Sequence, residues 1–202
     1  MQKINVRRVS EASLPTKYGK FRILGYETRF NHHETPYVVL VKGDLSLAAA
    51  PLVRIHSQCL TGDVFGSLRC DCRAQLEMAL ELIAGEGRGL LIYEAQEGRG
   101  IGLLNKLMAY ELQDAGADTV QANEQLGFEA DLRTYQVAVA VLRHFGVPAV
   151  RLLSNNPGKI KALEQAGIRV EERVPCQVAP SSTTETYLRT KKAKLGHMLK
   201  GF

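Results

Sequence analysis

The sequence has no long apolar run, and its N-terminal stretch MQKINVRRVS has no apolar segment of the kind that signal peptides carry. The most apolar stretch is interrupted by Lys42, Asp44 and Arg54, whereas a membrane-spanning helix needs about 18 consecutive apolar residues. We therefore expect neither a membrane span nor secretion. Since 45% of the 202 residues are hydrophobic, the chain can still bury a full core.

Cysteine is scarce along the whole chain, and acidic residues are absent near its C-terminus. The chain has four cysteines, and free thiols fit a reducing cytosol, so we expect a cytoplasmic protein. Five basic residues and no acidic one follow Glu185, and these five account for the formal net charge of +5. They are Arg189, Lys191, Lys192, Lys194 and Lys200. A solvated basic face is the favoured interpretation of this tail, with nucleic-acid binding as the alternative.

Turn formers separate four β-rich segments in the first sixty residues, and strand-like and helix-like segments alternate after that. The early segments, rich in β-branched and aromatic residues, are INVRRVSEA, KFRILGYETRF, YVVLVKG and PLVRIHS. The later strands are GLLIYEA, VRLLS and IRVEERV, and the later helices are residues 75–84, LLNKLMAYELQDAG, TYQVAVAVLRHFG and NPGKIKALEQAG. This order predicts an α/β fold, with a β-rich N-terminal part that leads into a mixed, partly parallel sheet flanked by helices.

Composition also predicts where the domain ends. We expect a single catalytic α/β domain over residues 1–179, and a basic tail or helix over residues 180–202. The linker-like segment APSSTTET leads from one to the other.

Three of the cysteines, Cys59, Cys70 and Cys72, lie within fourteen residues in the stretch RIHSQCLTGDVFGSLRCDCRAQLE. Catalytic zinc sites use three protein ligands and leave a fourth position to water or substrate. Cys176 is more than a hundred residues away and reads as a buried structural thiol. We favour an open zinc site, inserted into the domain, over cysteines of ordinary packing, because charged neighbours flank Cys70 and Cys72.

A second informative segment is GLLIYEAQEGRGIGLLNK, in which a buried strand passes through a glycine-bearing loop into a helix. Glycines let the backbone approach a phosphate, and the following helix presents free N–H groups. The spacing matches neither the dinucleotide fingerprint nor the P-loop, so a structural turn explains the loop about equally well. The passage LLSNNPGK favours phosphate binding, since it places Ser154 and Lys159 near a helix start at Asn156 and Pro157.

Taken together, the cysteine segment, QEGRGIGLLNK, DTVQANEQLGFEADLR and LLSNNPGK resemble the GTP cyclohydrolase II family, in the same order from about Val53 to Val174. The ending TETYLRTKKAKLGHMLK is similar to the family's C-terminus. The resemblance implies an enzyme of riboflavin biosynthesis that uses zinc and magnesium and is typically a homodimer. Family members hydrolyse GTP to 2,5-diamino-6-(5-phosphoribosylamino)pyrimidin-4(3H)-one, with release of formate and pyrophosphate.

By position, the resemblance implies that Cys59, Cys70 and Cys72 hold one zinc ion per subunit, which would activate water for attack on C8 of the guanine ring. It gives Asp131 the role of proton acceptor and places Arg133 at the α-phosphorus, as nucleophile or clamp. Without the resemblance, both residues read as surface helix charges. We favour the clamp because a guanidinium stays protonated at neutral pH.

The resemblance implies a larger set of substrate-binding residues, although each one alone also reads as a solvated polar side chain. The set comprises Arg54, Ile55, His56, Ser57, Gln58, Gln75, Glu97, Gly98, Arg99, Thr119, Ser154 and Lys159. Glu97 would accept from the guanine N1 and N2 donors or help to hold magnesium. Tyr110 would lie close to the reacting ring, whereas its position on a helix by itself indicates a half-buried core ring.

The chain departs from the family pattern at three places. Gln58 stands where glutamate is frequent, Ser154 where threonine is common, and Glu94 with Ala95 where a basic or imidazole side chain often precedes QEGR. Gln58 removes a negative charge near the metal and substrate, and Glu94 adds one near a phosphate loop. A diverged relative that opens another nucleotide, or that releases pyrophosphate without ring opening, therefore stays open. A zinc-stabilised nucleic-acid-binding module is the alternative from another class.

Overall fold

The computed structural model describes residues 4–30, 33–47, 49–179 and 184–201. Within these residues, seven strands form one sheet in the order β1-β2-β3-β5-β4-β6-β7. The strands are β1 (Val6–Thr16), β2 (Gly19–Phe30), β3 (His33–Lys42), β4 (Leu52–Ser57), β5 (Gly89–Glu94), β6 (Ala149–Leu153) and β7 (Arg169–Val174). The α-helices are α1 (Cys72–Glu86), α2 (Leu103–Asp114), α3 (Thr119–Gln125), α4 (Gln136–His144), α5 (Pro157–Gln165) and α6 (Glu185–Leu195).

Strand pairing changes from antiparallel to parallel across the sheet. β1, β2, β3 and β5 pair antiparallel in turn, whereas β5, β4, β6 and β7 pair parallel. The predicted mixed, partly parallel α/β fold with a β-rich N-terminal part is therefore confirmed. Because β4, β5 and β6 run in one direction, their carboxyl ends lie at the same edge of the sheet, where the loops that follow them can meet.

The central strands are buried on both faces. In β5, Leu90 and Ile92 belong to the core cluster that includes α4 and α5, whereas Leu91 belongs to the cluster that includes α1. Ile83 of α1 is fully buried in this second cluster. Helices on both faces explain why these strands read as continuous apolar runs rather than as alternating ones.

The starts of two helices were predicted from the sequence, and one of them is set by a capping residue. α5 begins as predicted, since the Asn156 side chain accepts from the Gly158 N–H at 2.8 Å and Pro157 occupies the first turn. α1 begins at Cys72 rather than at the predicted Gln75, so the third cysteine lies in the first turn of a helix. Among the described residues, no helix combines the length and the apolar character that a membrane span requires.

The basic C-terminal part packs against the body of the protein. Residues 180–183 and 202 of the predicted tail, which include part of the linker, lie outside the described residues. α6 is anchored by an ion pair of 2.5 Å between Lys194 and Asp118. After the helix, the Met198 N–H donates to the Asn155 carbonyl at 2.9 Å.

Candidate active site

The three cysteines of the predicted metal site converge at the edge of the sheet. Their Sγ atoms all lie within 4.8 Å of one another. Cys59 lies two residues after β4, Cys70 lies two residues before α1, and Cys72 is the first residue of α1. Gly62 lies between them in a single π-helical turn, Leu60–Val64. A Cβ atom at Gly62 would lie 2.9 Å from the Cys70 sulfur and 3.2 Å from the Cys59 sulfur. Glycine therefore leaves the space in which three thiols can approach one metal ion.

The donor chemistry of this cluster also fits a metal ion. Hydrogen bonds from the other two thiols lower the pKa of Cys59, and the same contacts raise the pKa of Cys70, to about 11, and that of Cys72. The ammonium of Lys106 lies 3.2 Å from the Cys59 sulfur and supports its thiolate form. Metal binding would displace the protons of the other two thiols. Cys176 is buried in the core cluster around α1 and is not part of this group.

Lys106 is a buried cation that sequence reasoning missed. Its Nζ donates to Glu97 at 2.7 Å and to Thr61 Oγ1 at 2.9 Å. Burial would lower the pKa of Lys106, but Glu97 and Cys59 outweigh it and raise the pKa. Glu97 also accepts from the Leu60 N–H at 2.6 Å. These contacts join α2 and the glycine-bearing loop to the cysteine loop, the segment 58–71 between β4 and α1. A lysine on an amphipathic helix normally reads as surface charge, so this contact could not be predicted from the sequence.

A buried histidine and a buried aspartate hold the backbone of the first cysteine. His56 Nε2 donates to Asp63 at 3.1 Å, and Asp63 accepts from the Cys59 N–H at 3.0 Å and from the Tyr93 hydroxyl at 2.9 Å. Burial lowers the pKa of His56 in spite of the neighbouring carboxylate, which favours a neutral ring. The His56 ring also stacks on that of Tyr93, with ring centroids 5.5 Å apart. Together these contacts hold the backbone of Cys59 in one orientation after the end of β4.

A line of buried polar side chains runs from β4 to α6. Arg54 donates to Gln75 Oε1 at 2.7 Å and to the Leu153 carbonyl at 3.1 Å. Gln75 Nε2 donates to Asp71, which is 5% exposed, and Lys191 Nζ lies 3.0 Å from the other oxygen of Asp71. The sequence predicted Arg54 and Gln75 as site residues, but it gave no indication of Asp71 or Lys191.

Two further basic side chains, those of Lys159 and Arg133, line the same cleft. Lys159 is 4% exposed, its Nζ donates to the Ile55 carbonyl at 2.7 Å, and burial lowers its pKa. Arg133 donates to both carboxylate oxygens of Asp131, at 2.8 and 2.6 Å. Burial opposes the charge of Asp131, but Arg133 outweighs it and lowers the pKa of that carboxyl group. The carboxylate is therefore ionised and bound to its arginine.

Backbone strain marks the loop between β5 and α2. Gly98 and Arg99 both adopt left-handed conformations, with φ of 61° and 60°. Such a conformation costs a non-glycine residue about 1 to 3 kcal/mol and clusters at functional sites. Arg99 contacts the neighbouring loop, where its guanidinium donates to the Ala130 carbonyl at 3.1 Å and its own carbonyl accepts from the Leu132 N–H at 3.1 Å.

Most of these groups line one cleft that is partly open to solvent. Of the predicted site residues, all but two line it. The exceptions are Ile55, whose side chain is in the core, and Asp131, which lines a depression behind Arg133. Residues that were not predicted also line the cleft, among them Arg69, Lys106, Asn155, Tyr187, Lys191 and His197.

Comparison with known proteins decides the family. The model of the GTP cyclohydrolase II family matches residues 7–175. The chain belongs to the GTP cyclohydrolase II family. It is 53% identical over 194 residues to the riboflavin biosynthesis protein RibBA of Chlorobium phaeovibrioides, with 96% of this chain and 47% of that protein covered. RibBA of Bacillus mycoides is also 53% identical, with 96% and 48% covered. The chain thus spans about half the length of the curated relatives it matches.

A solved structure supports the fold alone. The crystal structure of RibBX from A. baumannii, a two-domain 3,4-dihydroxy-2-butanone 4-phosphate synthase, matches with a TM-score of 0.50 at 22% identity. The match covers 87% of this chain and 41% of that one.

The three departures from the family pattern occupy different places. Gln58 and Ser154 line the cleft, whereas Glu94 is fully buried and does not line it. One oxygen of Glu94 accepts from Gln96 Nε2 at 2.9 Å, and the other has no hydrogen-bond partner among the described residues. Burial raises the pKa of Glu94 to about 7, although Lys159 lowers it. Glu94 therefore interacts with Lys159, which lines the cleft, through its charge and not through a hydrogen bond.

Proposed function

We propose that this protein is a zinc-dependent GTP cyclohydrolase II of the cytoplasm that catalyses the first step of riboflavin biosynthesis. It would hydrolyse GTP to 2,5-diamino-6-(5-phosphoribosylamino)pyrimidin-4(3H)-one and release formate and pyrophosphate. The observation that carries the proposal is one cleft that joins a cradle of three thiols to buried cations. A three-ligand metal site suits hydrolysis, and buried cations suit a polyphosphate.

Zinc fits the three cysteines better than magnesium does, because thiolates are soft ligands and magnesium prefers oxygen. Cys59, Cys70 and Cys72 would hold one zinc ion per subunit, which when bound supplies an activated water. Lys106 would orient the Cys59 sulfur, and Asp63 its backbone N–H. Magnesium would accompany the triphosphate of the substrate.

Arg133 and Lys159, which line the same cleft as the cysteines, would bind phosphate groups of GTP. The guanidinium of Arg133 is paired with Asp131 through two hydrogen bonds, which favours its charged form. We therefore assign Arg133 to clamping the α-phosphate as pyrophosphate leaves, rather than to covalent attack. Asp131, ionised beside it, has the protonation state that a proton acceptor requires.

Tyr110 and Glu97 would act beside the cysteine loop. The Tyr110 hydroxyl lies 3.1 Å from Thr61 Oγ1, which supports a position close to the reacting ring. Both oxygens of Glu97 already accept hydrogen bonds, from Lys106 and from the Leu60 N–H. We therefore assign Glu97 to holding the cysteine loop in place, in preference to binding guanine or magnesium.

A homodimer is supported by apolar side chains on one face of α2. Leu104, Leu107 and Met108 are exposed there at helical spacing, and Phe65 in the cysteine loop is 73% exposed. Light scattering on the purified protein should give the mass of two chains, and Leu104→Lys should reduce it to that of one. A wild-type protein of one-chain mass would contradict the homodimer.

Product analysis tests the proposed reaction. Zinc-replete protein incubated with GTP and magnesium should form formate, pyrophosphate and the diaminopyrimidine in equal amounts. GMP, which has no pyrophosphate to lose, should be turned over poorly in a parallel reaction. Pyrophosphate without formate would contradict ring opening and favour the diverged relative, and equal use of GMP would contradict a mechanism built on pyrophosphate release.

A further inference from the structure

The C-terminal helix forms part of the wall of the candidate active site. Tyr187, Lys191 and Leu195 of α6, and His197 after it, line the same cleft as the cysteines. The Lys191 side chain is only 13% exposed, and its ammonium lies 4.2 Å from the centroid of the Tyr187 ring. A lysine side chain normally extends until its charge reaches water, so the burial of this charge requires a local partner.

That partner is Asp71, the residue between two of the three cysteines. Lys191 Nζ lies 3.0 Å from Asp71 Oδ1, and Gln75 Nε2 donates to Asp71 Oδ2. Because the Asp71 side chain is 3% exposed, loss of Lys191 would leave a buried and unpaired carboxylate. Such a carboxylate would shift toward water and would move the backbone of Cys70 and Cys72, which are its neighbours in the chain.

The contact between Lys191 and Asp71 is also linked to Arg54, through Gln75. Since Gln75 uses its amide nitrogen on Asp71, its amide oxygen is fixed toward Arg54, which donates to it at 2.7 Å. Arg54 is 5% exposed and lines the cleft. Through Asp71, Lys191 is thus connected both to the turn that carries Cys70 and Cys72 and to the side chain of Arg54.

The docking of α6 does not depend on Lys191 alone. Lys194 pairs with Asp118, and the Met198 N–H donates to the Asn155 carbonyl at 2.9 Å. Gln177 exchanges two hydrogen bonds with the backbone of Lys200, at 2.7 and 2.9 Å. A substitution at Lys191 should therefore leave the helix in place while it removes the contacts of the ammonium with Asp71 and with the Tyr187 ring.

We propose that Lys191 is a positioning residue that acts through Asp71 to hold the Cys70 to Cys72 turn and Arg54 in their working geometry. The inference rests on the proposed function and adds to it a residue outside the span 7–175 that the family model matches. It also gives one of the tail's basic residues a role inside the protein, in place of a solvated face.

Lys191→Met tests this inference, because methionine keeps the shape of the side chain and removes the charge. The matched control is Lys192→Met, the same change at an exposed neighbour on the same helix. Groups that orient metal ligands typically contribute about 10- to 100-fold to metal affinity or activity. We expect the rate of zinc release to a chromogenic chelator to rise at least tenfold in Lys191→Met, and kcat for GTP to fall by a similar factor. Lys192→Met should match the wild type in both.

A double-mutant cycle with Asp71→Asn distinguishes positioning from simple stabilisation. If Lys191 acts through Asp71, adding Lys191→Met to Asp71→Asn should change zinc release and kcat by less than about twofold. Independent, additive losses would overturn the inference, as would a folded Lys191→Met protein with wild-type zinc release and kcat. If Lys191→Met does not fold, zinc release and kcat of the double variant are compared with those of Asp71→Asn instead. The double variant has no unpaired buried charge at this place.

The zinc measurement keeps this inference separate from the proposed function. If the wild-type protein forms no formate from GTP, the proposed function fails. The zinc-release rates of the four proteins in the double-mutant cycle then decide the role of Lys191 without any activity measurement.

Discussion

Replacing the buried carboxyl group of Glu94 should stabilise the protein, and more strongly as the pH rises. Burial raises the pKa of Glu94 to about 7, from an ordinary value of 4.5. Between these two values the unfolded chain releases its proton while the folded protein keeps it, so the free energy of unfolding falls as pH increases. Above pH 7 the folded carboxyl group also ionises and the loss levels off.

The size of this effect follows from the two pKa values. Each unit of difference between folded and unfolded states is worth about 1.4 kcal/mol, so the full cost of the ionised Glu94 is about 3 kcal/mol. Lys159 and Arg133, which lower the pKa of Glu94, are already included in the value of about 7. Glu94→Gln keeps an acceptor for Gln96 and removes the titration. It should therefore gain about 2 to 3 kcal/mol over the wild type between pH 5 and pH 8.5.

Urea unfolding of both proteins at the two pH values measures this gain. Glu129→Gln, a change at an exposed carboxylate, is the control and should show no such trend. If the difference between Glu94→Gln and the wild type is the same at both pH values, Glu94 is ionised in the folded protein across the range, and the reasoning from burial is wrong.

Three other substitutions probe the cysteine cluster, the proposed phosphate-binding residue Lys159 and the core. Gly62→Ala, whose Cβ would lie 2.9 Å from the Cys70 sulfur, should weaken zinc binding at least tenfold in a chelator competition, whereas Gly85→Ala, with open space around its Cβ, should not; equal affinities would contradict the cradle. Lys159→Met should raise KM for GTP at least tenfold, since it removes a proposed phosphate ligand. It should not lower Tm, because it also removes a polar group that is costly to bury. A lower Tm with unchanged KM would indicate a structural role only. Ile83→Ala should lower the free energy of unfolding in urea by about 2 to 5 kcal/mol, since that side chain is fully buried; a loss under 1 kcal/mol would contradict its place in the core.

Most of the sheet could be predicted because its signals are local. Four β-rich segments, and then strands alternating with helices, already indicated a mixed sheet, and Asn156 with Pro157 marked the start of α5. α3 was not predicted, because its seven residues are too few for an apolar period and its start depends on a capping box between Asp118 and Gln121. The edge at which the loops meet follows from strand order, which the sequence did not specify.

The candidate site was predictable where its residues are close in sequence. The three cysteines were found by spacing, and they do converge. The missed residues make contacts across long stretches of chain: Lys191 meets Asp71 120 residues away, and Lys106 meets Cys59 47 residues away. Alone, each of these lysines has the sequence pattern of a surface charge, and only the fold brings it to a buried acceptor.

The central claim, that three cysteines hold one zinc ion on which ring opening of GTP depends, is tested most directly by measuring zinc content and formate release together. The measurement compares the wild type with single alanine variants of Cys59, Cys70, Cys72 and Cys176. For the wild type and for Cys176→Ala, we predict one zinc ion per chain and one formate released per GTP consumed. For the other three variants, we predict loss of both the zinc and the formate release. Formate release by zinc-free Cys72→Ala, or loss of zinc in Cys176→Ala, would contradict the three-cysteine centre.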